Sequence, residues 1–283
     1  MFKKLGFMCA IGALCALATP ATHAGEDTAT DDRLLPDWMS VSANATFASG
    51  FVGNGITWVD GPVMMSSATV GVTYDGLTLS GTFWSVVNLN DVVGYDNPTP
   101  DEYQMTEYDA IIDLTYSNFE HLDISLGFIH YEFNKLGGAG SETGDVYGAL
   151  AFKTIPLSPV VTVYYDVDGT NSGWHGTVAV SHTFTVKDVS FDTYGGFGLT
   201  DDDYGAAYFS DDGKDYSGFS HWWVGVSKTF ELNSHFSVTP SLSYYRLVND
   251  NGTLGASFDS LQAAGFSGDE DAIVAAVAID FSL

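Results

Sequence analysis

Residues 41 to 283 alternate between apolar and polar positions in a series of segments separated by turn-forming residues. A period of two residues is typical of β-strands with one apolar and one polar face. The segments run to about 9–14 residues, longer than an average soluble strand and suited to a tilted strand that crosses a membrane. The pattern predicts strands at 41–51, 65–74, 77–88, 103–116, 121–133, 145–153, 159–168, 173–185, 188–199, 219–230, 235–248 and 271–283.

The two faces of these strands differ sharply in polarity. In segment 103–116, an apolar row from Tyr108 to Tyr116 opposes an acidic row that contains Glu107, Asp109 and Asp113. In segment 271–283, the apolar row Ile273, Ala275, Val277, Ile279, Phe281, Leu283 opposes Asp280 and Ser282. A closed barrel with lipid outside and water inside accounts for both faces and satisfies every backbone hydrogen bond within the membrane.

The connections alternate in length. Tight turns such as Asp75-Gly76 and Val186-Lys187 follow the even-numbered strands, whereas longer segments such as 52–64 and 200–218 follow most odd-numbered strands. Bacterial barrels have short periplasmic turns and longer external loops. The sequence therefore predicts an all-β fold, a transmembrane antiparallel up-and-down β-barrel of about 12 strands over 41–283, with both chain ends in the periplasm.

The beginning of the chain predicts export. Lys3 and Lys4 precede the apolar run 5–18, and small residues at 22–24 suit cleavage near Ala24. This arrangement is typical of a secretory signal peptide, and the run is too short to span a bilayer. We expect a signal peptide at 1–24, a short acidic periplasmic segment at 25–40 and a location in the bacterial cell outer membrane. Both cysteines lie within the signal, so the mature chain has no thiol.

The composition limits the kinds of molecule that the chain is expected to bind. The net charge is −27, yet charged residues make up only 16% of the chain and aromatic residues 14%. Such an acidic chain repels nucleic acid, and its aromatic content argues against disorder. The expected partners are outer-membrane lipid and lipopolysaccharide, a small-molecule solute and the barrel-assembly machinery. The final residues Phe281-Ser282-Leu283 resemble the signal that this machinery recognises. No phosphate-binding or dinucleotide motif is present, so no cofactor is predicted.

The first predicted strand and its loop carry a resemblance to a known family. Ser49, Phe51, Gly55, Ile56 and Thr57 match the early signature of TorF-type porins, whereas Gly50 and Asn54 replace an Asp and an Arg of that signature. Weaker similarities occur at 108–116, 127–131 and 159–166. The resemblance implies a porin-like outer-membrane protein.

Residues on the polar faces are the candidates for lining a conduit. The charged candidates are Glu107, Asp109, Asp113, Asp123, Lys153, Asp166, Asp192 and Asp280. The aromatic candidates are Trp84, Tyr147, Tyr164 and Tyr194. We expect Asp113, Asp123, Lys153, Asp192 and Asp280 near the periplasmic end, with Asp109 and Asp166 closer to the outside.

Two interpretations of these residues remain open. The acidic residues could form a constriction that favours cations, with Lys153 as counter-charge, or an Asp–Lys network that braces the barrel floor. The aromatic residues could guide an apolar or sugar-like solute, or simply fill the lumen. Because twelve strands lie between a filled eight-stranded barrel and an open sixteen-stranded porin, a narrow or loop-gated passive channel is expected.

A lipid-modifying hydrolase is an alternative from another class, since a barrel can also carry a catalytic Ser–His pair. That pair would have to lie at the depth of the outer-leaflet esters. His130 is expected on the outer face near that depth, but the adjoining strand offers Val146 and Gly148 there, not a serine.

The acidic loops support weaker hypotheses. Asp201, Asp203, Asp211 and Asp212 have carboxylates that could hold a divalent cation, although the spacing of a calcium-binding EF-hand loop is absent and solvated external loops explain the same residues. A surface receptor or adhesin would depend on loops 200–218 and 249–270.

Overall fold

The computed structural model describes residues 34–89, 105–133, 141–168, 173–208, 217–248 and 271–283. The signal peptide, its cleavage site and the loop candidates Asp211 and Asp212 lie outside the described residues. Within the described ranges, no helix has the length and hydropathy of a membrane-spanning helix.

Fifteen strands and one short helix make up the described secondary structure. In chain order they are β1 (Met39–Ala48), β2 (Phe51–Gly53), β3 (Ile56–Val59), β4 (Val63–Tyr74), β5 (Leu77–Asn88), β6 (Met105–Tyr116), β7 (Leu122–Phe133), β8 (Ser141–Phe152), β9 (Val160–Asp166), β10 (Trp174–Val186), β11 (Val189–Thr200), α1 (Asp202–Tyr208), β12 (Gly218–Ser227), β13 (Phe230–Glu231), β14 (Phe236–Leu247) and β15 (Asp271–Ser282).

The long strands form a closed antiparallel barrel. Each pairs with its neighbour in sequence, and β12 pairs with β14. The seam between β15 and β1 runs from Ser42 opposite Ser282 to Ala48 opposite Ala276. The predicted twelve-stranded up-and-down barrel is therefore confirmed. The remaining strands are accessory: β2 and β3 form a separate hairpin, and β13 adds a short pairing to β14.

The barrel has a turn end and a loop end. Two-residue turns with positive φ at both positions join β4 to β5 at Asp75-Gly76 and β10 to β11 at Lys187-Asp188. Such turns match the right-handed twist of the flanking strands. The second turn lies one residue later than predicted, because Val186 still pairs with Val189 in the ladder. The connection 52–64 and the start of 200–218 lie at the opposite end.

The strand limits differ from the predictions mainly at the loop end. The first strand ends at Ala48 instead of residue 51, and β8 begins at Ser141 instead of residue 145. The connection 52–64 was predicted as a loop but contains β3 and most of β2, while 200–218 contains α1. These segments are shaped by contacts with the barrel interior, which a local alternation pattern does not report.

The outer face of the barrel is an apolar belt. Leu126, Ile112 and Ile273 are 62%, 60% and 70% exposed. Other exposed members of the belt are Phe47, Val70, Leu79, Phe83, Leu114, Phe128, Val146, Leu150, Val163, Val224, Leu242, Val277 and Ile279. A soluble monomer rarely exposes so large an apolar surface, whereas a membrane barrel requires it.

Candidate functional site

The turn-end half of the interior is polar and partly exposed. Asp113 accepts hydrogen bonds from the Tyr147 hydroxyl at 2.7 Å and from Thr115 at 2.6 Å. The ammonium group of Lys153 lies 2.9 Å from a carboxylate oxygen of Asp123 and donates to the carbonyl oxygen of Ser117 at 3.0 Å. Asp113, Asp123 and Lys153 therefore lie on the adjoining strands β6 and β7 and at the end of β8.

Asp192 and Asp280 also lie in this half, on other parts of the wall. Asp192 accepts a hydrogen bond from Thr183 at 2.5 Å, and Asp280 accepts one from the Asn44 amide at 2.7 Å. Each contact ties two adjacent strands together. The four predicted carboxylates at this end therefore all contact neighbouring parts of the wall. Of these four, Asp123 is the one that pairs with Lys153.

The loop-end half of the interior is filled by an inward-folded hairpin, formed by β2, β3 and the turn Asn54-Gly55. Both turn residues have positive φ, 50° and 79°, as a two-residue Asn-Gly turn requires. Ile56 and Trp58 are buried on this hairpin. A Cβ added at Gly55 would overlap His221 on β12, so the tip of the hairpin lies directly against that strand.

A row of rings links this hairpin to the barrel wall. Tyr147, Tyr164, His175 and Tyr204 follow one another with ring-centre separations of 5.5, 4.6 and 4.4 Å. Tyr204 belongs to α1, and its hydroxyl accepts a hydrogen bond from the Asn54 amide at 2.9 Å. The inner aromatic row therefore continues from β8 through the helix to the tip of the hairpin.

Four carboxylates are buried near this hairpin and aromatic row. Glu107, Asp109, Asp145 and Asp166 are each less than 5% exposed. Asp166 accepts hydrogen bonds from Thr143 and from the backbone of Asp168, at 3.3 and 3.1 Å. Asp145 lies directly opposite Asp166 in the ladder. Like charges in that position repel each other.

The predicted aromatic candidates are all on the inner face. Trp84 is 2% exposed and lies opposite Asp109 in the ladder, while Tyr194 hydrogen-bonds Ser243 at 2.7 Å. The sequence prediction omitted Asp145 and Tyr131, which continue the inward alternation of β8 and β7 and could have been found from it. It also omitted Tyr204, for which no local pattern was available.

Glycines on the inner wall make room for the large rings. A Cβ at Gly127 would overlap the Tyr147 ring, and one at Gly225 would overlap the Tyr194 ring. Each glycine is the direct ladder partner of its aromatic residue. The rings can therefore lie against the wall instead of projecting straight into the lumen.

Gly127→Val is expected to destabilise the barrel by about 1–3 kcal/mol, because the added side chain displaces Tyr147 and breaks its bond to Asp113. Urea-induced unfolding in detergent micelles measures the change. Gly81→Val is the matched control, since a Cβ at Gly81 meets nothing within 4 Å. Equal stability losses in both variants would contradict this account of ring packing.

A bulge in β12 places a serine beside a histidine. Gly198 pairs with His221 and Leu199 with Phe219, so Ser220 is an extra residue, and its hydroxyl lies 3.0 Å from Nδ1 of His221. Both residues are buried inside the barrel. The outward His130 lies opposite Gly144 and Ala110, so the residues predicted beside it, Val146 and Gly148, are not its direct partners.

The acidic segment before α1 has a structural role. Asp201 accepts hydrogen bonds from the backbone N–H of Tyr204 at 2.9 Å and of Trp174 at 3.0 Å, which caps the helix and holds it to β10. These two hydrogen bonds account for the position of the Asp201 carboxylate without a metal ion. No group of three or more metal-binding side chains occurs within the described residues, which include Asp203.

The sequence matches no protein-family profile and no curated protein. Solved barrels of similar architecture include an outer-membrane channel from Pseudomonas putida F1, with a TM-score of 0.46 and 12% identity over 91% of this chain and 100% of that one. A KdgM porin gives 0.41 and 9% over 86% and 99%. Escherichia coli outer-membrane phospholipase A gives 0.41 and 10% over 86% and 95%. TM-scores below 0.5 support no conclusion about shared function.

Proposed function

We propose that this chain is an outer-membrane channel for the passive diffusion of small solutes, with a preference for cations. The charge of the inner wall carries the proposal. Carboxylates face inward on β6, β7, β8, β9, β11 and β15, whereas Lys153 is the one ammonium or guanidinium group on the described inner wall. A low-dielectric conduit lined with negative charge concentrates cations and excludes anions.

The apolar belt supports a location in the outer membrane. It covers the outside of the barrel, so lipid and lipopolysaccharide would be its surroundings, and the turn end would face the periplasm. The barrel-assembly machinery would insert the chain, and the signal peptide would direct export. The inward-folded hairpin would make the conduit narrow at its outer mouth, which agrees with the expectation for a barrel of this size.

The test is the reversal potential of purified full-length protein in planar bilayers under a potassium chloride gradient. We expect a reversal potential close to that of potassium. Asp192→Asn with Asp280→Asn is expected to shift it towards zero, whereas Glu231→Gln, an exposed change outside the lumen, is expected to leave it unchanged. Absence of conductance, with the hairpin present or removed, would overturn the channel, and anion preference would overturn the role of the acidic wall.

The hydrolase alternative has one supporting contact, between Ser220 and His221. That pair lies inside the barrel beneath the hairpin tip and not on the lipid-facing surface, where the ester bonds of a membrane lipid would be. A lipid-ester hydrolysis assay on the folded protein distinguishes the two functions. Turnover that is abolished by Ser220→Ala would favour the hydrolase.

A further inference from the structure

Two buried carboxylates in the loop-end half have unsatisfied oxygens. Asp109 is 0% exposed, and within the described residues neither of its carboxylate oxygens has a hydrogen-bond partner. Asp145 is also 0% exposed; its Oδ2 accepts a hydrogen bond from the Tyr131 hydroxyl at 3.2 Å, while its Oδ1 has no partner in the same part of the chain. The inner wall therefore leaves hydrogen-bond acceptors without partners at one position on β6 and one on β8.

Such an arrangement is costly when both carboxylates are ionised. A buried carboxylate loses its hydration, and proteins offset this loss with an ion pair, hydrogen bonds, a bound cation or protonation of the carboxylate. Among the described residues, the one inward-facing ammonium group is that of Lys153, and it is paired with Asp123 at the other end of the barrel. A cation from outside the chain would supply the missing charge.

The spacing of the two carboxylates argues against a single metal ion. Asp109 is on β6, level with Tyr131 on β7 and Thr143 on β8, so Asp145 lies two strands across and two residues along, which corresponds to about 12 Å between the two backbones. Metal ligands must converge on the ion to within about 2–2.6 Å. No set of three or more His, Cys, Asp or Glu side chains in the described ranges could hold a metal ion.

Aromatic residues flank Asp109 on both sides. Asp109 lies between Trp84 on β5 and Tyr131 on β7 in the ladder. Tyr131 stacks on Phe133 with their ring centres 6.2 Å apart. Aromatic faces attract organic ammonium ions, and this attraction increases when water is excluded. Phe51 of the hairpin covers the site, because its ring centre lies 5.7 Å from that of Trp84.

We propose that Asp109, Asp145, Trp84 and Tyr131 bind a small organic ammonium ion, which is the solute class of this channel. This inference rests on the proposed function and specifies its substrate. Asp109 and Asp145 would supply the negative charge, and the aromatic rings would contact the carbon chain and the ammonium group. The hairpin would cover the ion, so its passage would require the hairpin to move.

Isothermal titration calorimetry on the full-length protein in detergent tests the site directly. The probe is n-butylammonium chloride, compared with potassium chloride at equal ionic strength and with glucose as a neutral solute. We expect saturable binding of butylammonium, little heat from either comparison solute, and roughly tenfold weaker binding or more in Asp109→Asn. Glu132→Gln, on the outer face of β7, is the matched control and is expected to bind like the unmodified protein.

Several results would overturn the proposal. If the unmodified protein binds butylammonium no better than potassium, the proposal is refuted, whatever the variants show. Unchanged affinity in both Asp109→Asn and Asp145→Asn would place the ion elsewhere. Binding seen only after Lys135→Gln and Lys214→Gln, two changes outside the described residues, would indicate that the chain neutralises the site itself.

The same proteins in planar bilayers separate the two proposals. Cation-selective conductance without butylammonium binding would leave the channel standing and overturn the solute class. Butylammonium binding without any conductance would overturn the channel and leave a binding site in a closed barrel. If both proposals hold, butylammonium is expected to reduce the potassium current, and Asp109→Asn is expected to relieve that block.

Discussion

Replacement of residues 51–59 by a short Gly-Ser linker is expected to raise the single-channel conductance severalfold. The hairpin accounts for this size of effect because it fills the loop-end half of the lumen. It packs against Trp84 on one side and reaches His221 on the other. The measurement is the conductance of single insertions in planar bilayers, compared with that of the complete chain. An unchanged conductance would show that the hairpin does not form the constriction.

A single substitution tests how the hairpin is held in place, without removing the hairpin. Tyr204→Phe deletes the hydroxyl that accepts the Asn54 amide hydrogen bond, so the hairpin should leave the closed position more often. Net hydrogen bonds are worth about 0.5–1.5 kcal/mol, which corresponds to a few-fold change in an opening equilibrium. Tyr165→Phe, on the lipid-facing side of β9, is the control. More frequent openings in the control as well would point to a general loosening of the barrel.

Leu126→Arg is expected to destabilise the membrane-inserted barrel by about 2–4 kcal/mol, because it places a charge on the lipid-facing side near the middle of β7. Leu126 is 62% exposed and lies opposite Leu114 and Gly148 on its neighbours. Urea titration of the folded protein in lipid vesicles measures the loss.

Ser125→Arg gives the matched comparison for the belt. Ser125 is the neighbour of Leu126 on the inner face and hydrogen-bonds Thr115 at 2.6 Å. The new guanidinium group would lie in the acidic turn-end half of the lumen, so we expect a loss of about 1 kcal/mol from the broken hydrogen bond. Equal losses in the two variants would contradict the assignment of an outer belt and a polar interior.

The sequence predicted what depends on local alternation. On β6, the apolar positions from Tyr108 to Tyr116 face out, and Glu107, Asp109 and Asp113 face in, as the period of two indicated. The strand limits were exact at the tight turn Asp75-Gly76, whereas β12 ends at Ser227 instead of the predicted residue 230. Both successes have the same origin, since side-chain direction and turn type are determined by a few adjacent residues.

Features made by distant contacts were missed. The Asn54-Gly55 turn carried a strong local signal for a hairpin, yet its inward direction depends on Trp84, Tyr204 and His221, which belong to other elements. The bulge at Ser220 broke the rule that adjacent residues face opposite sides, so its contact with His221 could not be read from alternation.

The seam between β1 and β15 has a consequence for the order of folding. Its contacts join residues very far apart in the chain, such as Asn44 and Asp280, which are separated by 236 positions. Contacts of such long range carry the largest loop-closure entropy and form slowly. The sheet would therefore grow from local hairpins and close last, and until then β1 and β15 would each present an unpaired edge open to aggregation. Protection of those two edges is the assembly problem that this topology creates.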